Sequence, residues 1–189
     1  MPRAGLNTAA VVERAAHLID DPGAGALSLA ALAESLGVRA PSLYKHIEGM
    51  PGLERALVIR AKEDLARALG QAAVGRSRDD AIAAVAVAYR TWALGHPGQY
   101  PLTIRAPVPG DAADEEASGA LVEIIFSVLA GYDLGGSDAV DATRFLRSAL
   151  HGFVALETGG AFALPVSQER SFSRLVESVA TALSSWSRP

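Results

Sequence analysis

Apolar residues recur at three- and four-residue spacing along nearly the whole chain, and the breaks fall at glycine, proline and short polar runs. A first helix is expected from Asn7 as cap to about Asp20, with Val11, Ala15, Leu18 and Ile19 on one face; Asp20-Asp21-Pro22-Gly23 ends it. Leu29 to Leu36 is a second short helix, with Ser28 as N-cap and Gly37 at the corner, where the chain must accept a positive φ. A third, from about Ala40 to His46, carries Pro41 in its first turn, where a missing N–H costs least. Small Ala33, cornering Gly37 and plugging Leu43 are in the register that two crossing helices need. Val11, Leu18, Leu27, Leu32, Leu36, Leu43 and Ile47 would form the core of this trihelical unit.

Glu48 to Gly52 reads as a turn, and Leu53 to about Leu69 as a long helix ending near Gly70, with Leu53, Leu57, Leu65 and Leu69 inward. The segment from Ser77 or Arg78 to His96 is apolar over most of its circumference, as in a buried helix. HPGQYPLTIRAPVPG, with four prolines and two glycines, should be a short helix or turn and then a loop. Three further helices follow: Asp111 to Gly131, acidic at its start as the macrodipole favours; Asp138 to Glu157; and Gln168 to about Ser187. The fold class is therefore all-α, with about nine helices. A domain of residues 1–50 precedes one of residues 51–189, and the helix from Leu53 is the lever between them.

Composition agrees with close-packed helices. Half the residues are hydrophobic and only 6% aromatic. Without cysteine the chain has neither disulfides nor thiolate metal ligands. No stretch of eighteen apolar residues and no signal-like N-terminus is present, so the expectation is a cytoplasmic protein without a membrane partner. The net charge of −4 argues against a general nucleic-acid binder. It is unevenly placed, however. Residues 111–189 carry eleven Asp or Glu against five Arg, whereas Arg39 to Ile47 holds Arg39, Lys45 and His46 and no acid. That local sign suits phosphate, and Arg3 on the N-terminal arm could add a contact. The four histidines, His17, His46, His96 and His151, lie on separate segments without zinc-site spacing. Nucleophile-elbow and phosphate-loop motifs are missing too, so neither a cofactor, a metal nor a catalytic group is expected.

The stretch from Ser28 through Gly37-Val38 to Leu43-Tyr44-Lys45-His46-Ile47, with a long helix behind it, resembles the DNA-binding domain of the TetR family of bacterial regulators. Ile47 stands where that family commonly has Phe, and Met50 where it commonly has a phosphate-binding Lys. LRSALHGFVALETGGAFALP, with Leu150-His151-Gly152, resembles the Trp/Leu-His-Gly subfamily of TetR-type C-terminal domains. The resemblance implies a homodimer on double-stranded, roughly palindromic operator DNA, its last two helices forming a four-helix bundle. It also implies a central cavity for an unknown small-molecule effector, and a repressor released by that effector.

Within that expectation, Arg39 is the best candidate for a guanine edge, and Ala40 and Pro41 could meet a thymine methyl. Ser42 could reach base or phosphate. Tyr44, Lys45 and His46 occupy the family's contact positions, and Ser28 doubles as cap and phosphate donor. Trp92, His96, Tyr100, Arg105, Phe126 and His151 are candidates for the cavity wall. Phe145, Ala149, Gly152, Phe153, Phe172, Leu175, Val179 and Leu183 are candidates for the dimer interface, Gly152 because a glycine inside a helix suits close helix approach. The rival readings are a helical carrier or enzyme that borrows the fold, and a DNA-binding protein without an effector.

Overall fold

The computed structural model describes residues 6–23 and 25–186. Among them are eight α-helices and one 3-10 helix, without strands. The α-helices are α1 (Thr8–Asp20), α2 (Leu29–Ser35), α3 (Gly49–Ala73), α4 (Arg78–Gly95), α5 (Tyr100–Thr103), α6 (Ala112–Ala130), α7 (Gly136–Thr158) and α8 (Gln168–Trp186). Arg3 lies outside the described residues.

Helix starts fall where capping chemistry puts them. The side chains of Asn7, Ser28 and Asp111 accept the N–H groups of Ala10, Ala31 and Asp114, each supplying an acceptor to an otherwise orphan donor. At the end of α2, Gly37 turns at φ +66° while its N–H bonds Glu34 O and that of Val38 bonds Ala33 O. That pairing closes the helix and redirects the chain.

The following segment, Ala40–Lys45, is a 3-10 helix and not the α-helix expected to reach His46. Pro41 cannot donate, Ser42 N–H bonds Arg39 O at 2.8 Å, and His46 N–H bonds Leu43 O at 2.8 Å. Six residues with a proline in second place are too few to propagate i→i+4 bonding. At three residues per turn the side chains line up in threes. Ala40 and Leu43 form an inner ridge, with Leu43 fully buried and Ala40 half-buried against the same core.

α3 begins four residues earlier than the apolar spacing predicts. Gly49, Met50 and Pro51 form its first turn, where a proline forfeits no intrahelical bond. Its 25 residues span about 37 Å. Near the start, Leu53 and Leu57 join Val11, Val12, Ala15, Leu32, Leu43 and Ile47 in a small N-terminal core; further along, Ala61, Leu65 and Leu69 enter a larger core with α4–α8. The helix passes through position 50 unbroken, so the two parts share a helix and no linker separates them there. Of the expected trihelical core, Leu18, Leu27 and Leu36 are only half-buried; Ala15 of the expected face of α1 is buried, and Val12 and Ala16 join it. α4 likewise buries one face, Ile82, Val85, Tyr89 and Trp92 among it, while Val87 and Leu94 are exposed.

Candidate functional sites

On the 3-10 segment the ridges away from the core carry polar side-chain atoms that find no hydrogen-bond partner among the described residues. Arg39, Ser42 and Lys45 follow one another along one ridge, and Pro41 and Tyr44 along the next; Tyr44 is 62% exposed. Neither Arg39 nor Lys45 makes an ion pair among the described residues. His46 is half-buried beside Tyr44 and Lys45, and its carbonyl accepts the Thr8 hydroxyl at 2.9 Å, tying this end to the start of α1. Ala40 packs against the N-terminal core. Ser28 Oγ is occupied as a cap by Ala31 N–H at 3.2 Å. Met50 packs half-buried against the N-terminal core from the first turn of α3, so its side chain serves that core.

The second site is a cavity of about 520 Å³ walled by α3, α4, α6, α7 and the segment from Thr103 to Pro107. Its body is apolar, from Leu65, Leu69, Val85, Leu121, Ile125 and Leu146. Its polar groups are Lys62, Tyr89, Thr103, Arg105, Glu115, Ser118, Thr143 and Arg147. Lys62, 1% exposed, pairs with Asp114 and donates to Ser118 Oγ at 2.9 Å. Burial alone would raise the Asp114 carboxyl, but the Lys62 ammonium and the Val108 N–H outweigh it and hold the group below the usual carboxylate range. Tyr89 shares a hydrogen bond of 2.9 Å with Tyr100, whose hydroxyl meets His151 Nδ1 at 2.6 Å. Burial pushes both tyrosines above their ordinary value, so both hydroxyls stay protonated and available as donors.

Of the six residues expected in the cavity wall, only Arg105 lines it. Tyr100 and His151 stand one layer behind, reaching the cavity through Tyr89. Trp92 and His96 stack on each other at 4.7 Å outside it, with His96 Nδ1 against Trp92 O. Phe126 is half-buried and does not reach it. Lys62 and Arg147 were not singled out in the sequence. A lysine in the inward register of α3 was the available sign for the first; nothing local marks the second.

A seam joins the two sites. Asp20, the last residue of α1, accepts the N–H groups of Gly98 and Gln99 on Oδ1 at 2.9 and 3.0 Å, and the Gln99 side-chain amide on Oδ2. A methyl group at Gly98 would overlap the Ile19 carbonyl, so only glycine lets α1 approach here. Leu102 of α5 packs against both cores, and Thr103 just beyond it lines the cavity.

Comparison with known proteins decides the family. Residues 82–179, just over half of the chain, match the model of the Tetracyclin repressor-like C-terminal domain. Over 159 residues the chain is 41% identical to Rv0681 of Mycobacterium tuberculosis, an uncharacterised HTH-type transcriptional regulator, covering 83% of this chain and 72% of that one. It is 35% identical to YobS of Bacillus subtilis, likewise named an uncharacterised HTH-type transcriptional regulator, covering 85% and 84%. The chain belongs to the TetR family. A solved structure of a Rhodococcus protein of unknown function shares the fold, with a TM-score of 0.81 at 23% identity over 97% of this chain and 98% of that one.

As a TetR-family protein this is a DNA-binding transcriptional regulator, whose helix-turn-helix is α2 and the 3-10 segment. No helix among the described residues is long and apolar enough to cross a membrane. The apolar residues expected at a subunit interface are largely spent inside the subunit. Phe172, Val179 and Leu183 are buried in the larger core, and Phe145, Ala149, Phe153 and Leu175 pack half-buried against it. Phe153 lies 5.1 Å from Phe172, and the Arg90 guanidinium sits over the Phe172 ring while bridging Glu157 and Glu169. Gly152 has nothing within 4 Å of where a Cβ would stand, so the close approach expected there is not made within the subunit.

Proposed function

We propose that this TetR-family regulator is a homodimeric repressor, cytoplasmic, released from a roughly palindromic operator by a small molecule bound in the cavity. The observation that carries this reading is the seam. α5 supplies Thr103 to the cavity wall, and the three donors gathered just before and at its start hold Asp20 at the end of α1. α3 makes a second connection, with Lys62, Leu65 and Leu69 in the wall and Leu53 and Leu57 in the core beneath the reading segment. A ligand that fits the cavity better when α5 is displaced therefore acts on the helix-turn-helix by differential affinity for two arrangements.

On the DNA, Arg39, Ser42 and Lys45 read or hold the major groove from one ridge, with Pro41 and Tyr44 beside them. Ala40, packed against the N-terminal core, positions the segment, and His46, beside Tyr44 and Lys45, holds phosphate. Two such segments must stand about 34–36 Å apart to meet successive major grooves. The partner subunit packs on the outward side of α7, where Gly152 is open and Leu156 is 50% exposed. The domain division follows the two cores, with α3 common to both. No enzymatic step is part of this reading.

Binding to the DNA upstream of its own coding sequence, measured by fluorescence anisotropy across a salt series, tests the central claim. The expected result is tight binding that weakens steeply with salt and a footprint with two half-sites. Equal affinity for that DNA and for unrelated duplex would reject it. Sedimentation of Gly152→Trp should show monomers; an intact dimer would move the interface away from α7.

A further inference from the structure

Resting on the reading of this cavity as an effector site, the chemistry of its wall specifies the class of molecule it takes. The interior is apolar, and its buried cation is already neutralised: Lys62 pairs with Asp114. The uncompensated charge is at the mouth. Arg105 and Arg147 both line the cavity and are exposed, and neither makes an ion pair among the described residues. They belong to one lip, because Arg147 donates to the carbonyl of Ile104, the residue before Arg105, at 3.2 Å. Glu115, the carboxylate in the lining, accepts Gly110 N–H at 3.0 Å and pairs with neither guanidinium. Inside, Lys62 Nζ spends two of its hydrogens on Asp114 and Ser118. An ammonium carries three, so one donor remains for a ligand acceptor.

We propose that the effector is an amphipathic carboxylate: an apolar body within the cavity and an acid group held at the mouth by Arg105 and Arg147. A planar guanidinium fork matches a carboxylate in a way that a neutral or cationic head does not, and an apolar chamber of this size suits a molecule with one such group at its end. A cation would meet two like charges at the lip. A purely apolar molecule would leave both guanidiniums without a partner.

Three molecules of one chain length separate these cases: decanoate, decanol and decylammonium, each titrated calorimetrically below its micelle concentration into the full-length protein. Decanoate is expected to bind at least about tenfold tighter than decanol, as one or two charge-assisted hydrogen bonds warrant, with decylammonium weakest. The double variant Arg105→Gln, Arg147→Gln should shrink the decanoate advantage to less than about threefold; circular dichroism melts check that it folds. Gly119→Trp fills the chamber from α6, where a Cβ would have no neighbour within 4 Å, and should abolish binding of decanoate and decanol alike. Decanol or decylammonium binding as tightly as decanoate, a decanoate advantage that survives the double variant, binding that persists in Gly119→Trp, or no binding by any of the three would each overturn the proposal. Operator anisotropy with and without decanoate is read separately. Decanoate that binds as described without changing operator affinity leaves the ligand class standing and removes the release mechanism instead.

Discussion

The 3-10 segment and the cavity wall put polar side chains to opposite uses. On the segment, Arg39, Ser42, Tyr44 and Lys45 extend from a short piece of backbone and touch little of their own protein. At the wall, Lys62 and, behind it, Asp114 are 1% and 5% exposed and each is fastened to at least two partners. Free donors cost the fold almost nothing and gain their worth only when DNA arrives. Fastened ones are part of the fold, and the wall keeps its shape because of them. Damage to the first should therefore appear in binding, and damage to the second in stability.

The sharpest break of that contrast is Asp114→Asn. It leaves the Lys62 ammonium buried without its countercharge, and a loss of about 3–5 kcal/mol is expected in urea denaturation. The same pair sets an acid dependence. Because the folded-state pKa of Asp114 is lowered, its contribution is fully present above the unfolded value near ~3.9 and is lost as pH falls through the lower folded value. Wild-type stability should then decline below about pH 4 more steeply than that of the variant; parallel declines would show that the pair contributes nothing.

Gly98→Ala tests the seam between the two regions. Its methyl group forces α1 and α5 apart, and the expected cost is about 1–3 kcal/mol with a fall in operator affinity. Wild-type stability and affinity would mean that the seam is slack. The smallest effect on the fold belongs to the reading surface. Tyr44→Phe with Lys45→Ala should leave the unfolding free energy within about 0.5 kcal/mol of wild type. Operator affinity should nonetheless drop, and the slope of log affinity against log salt should lessen by roughly one for the lost phosphate contact. Unchanged affinity would take these two residues off the DNA.

The sequence-level reading succeeds and fails along the same line. Local chemistry was legible: Asn7 and Ser28 cap the helices they precede, and Gly37 turns the corner. The exposure of Tyr44 and Lys45 beside buried Leu43 needed no tertiary information beyond their register. The first turn of α3 was missed because Gly49-Met50-Pro51 carries turn composition, although a proline is harmless in a first turn. The 3-10 winding was missed because apolar spacing over six residues does not separate three residues per turn from 3.6. The cavity was almost illegible. Its wall is gathered from four long helices and a loop, and the apolar character that made Trp92, Tyr100 and Phe126 candidates says nothing about which void they border. The candidate interface meets a related ambiguity. Helical spacing reports that Phe172, Val179 and Leu183 are buried, not whether their own subunit or another buries them.

The grip of Asp20 on the approach to α5 has one more consequence, for tolerance. Three donors converge on one carboxylate, each within hydrogen-bond distance of it. Such contacts weaken steeply beyond about 3.5 Å, so a slide of roughly 1 Å forfeits them together. A joint of this kind has no comfortable halfway setting. It behaves as a rivet, which holds or shears, and a signal crossing it arrives as a step and not as a gradient.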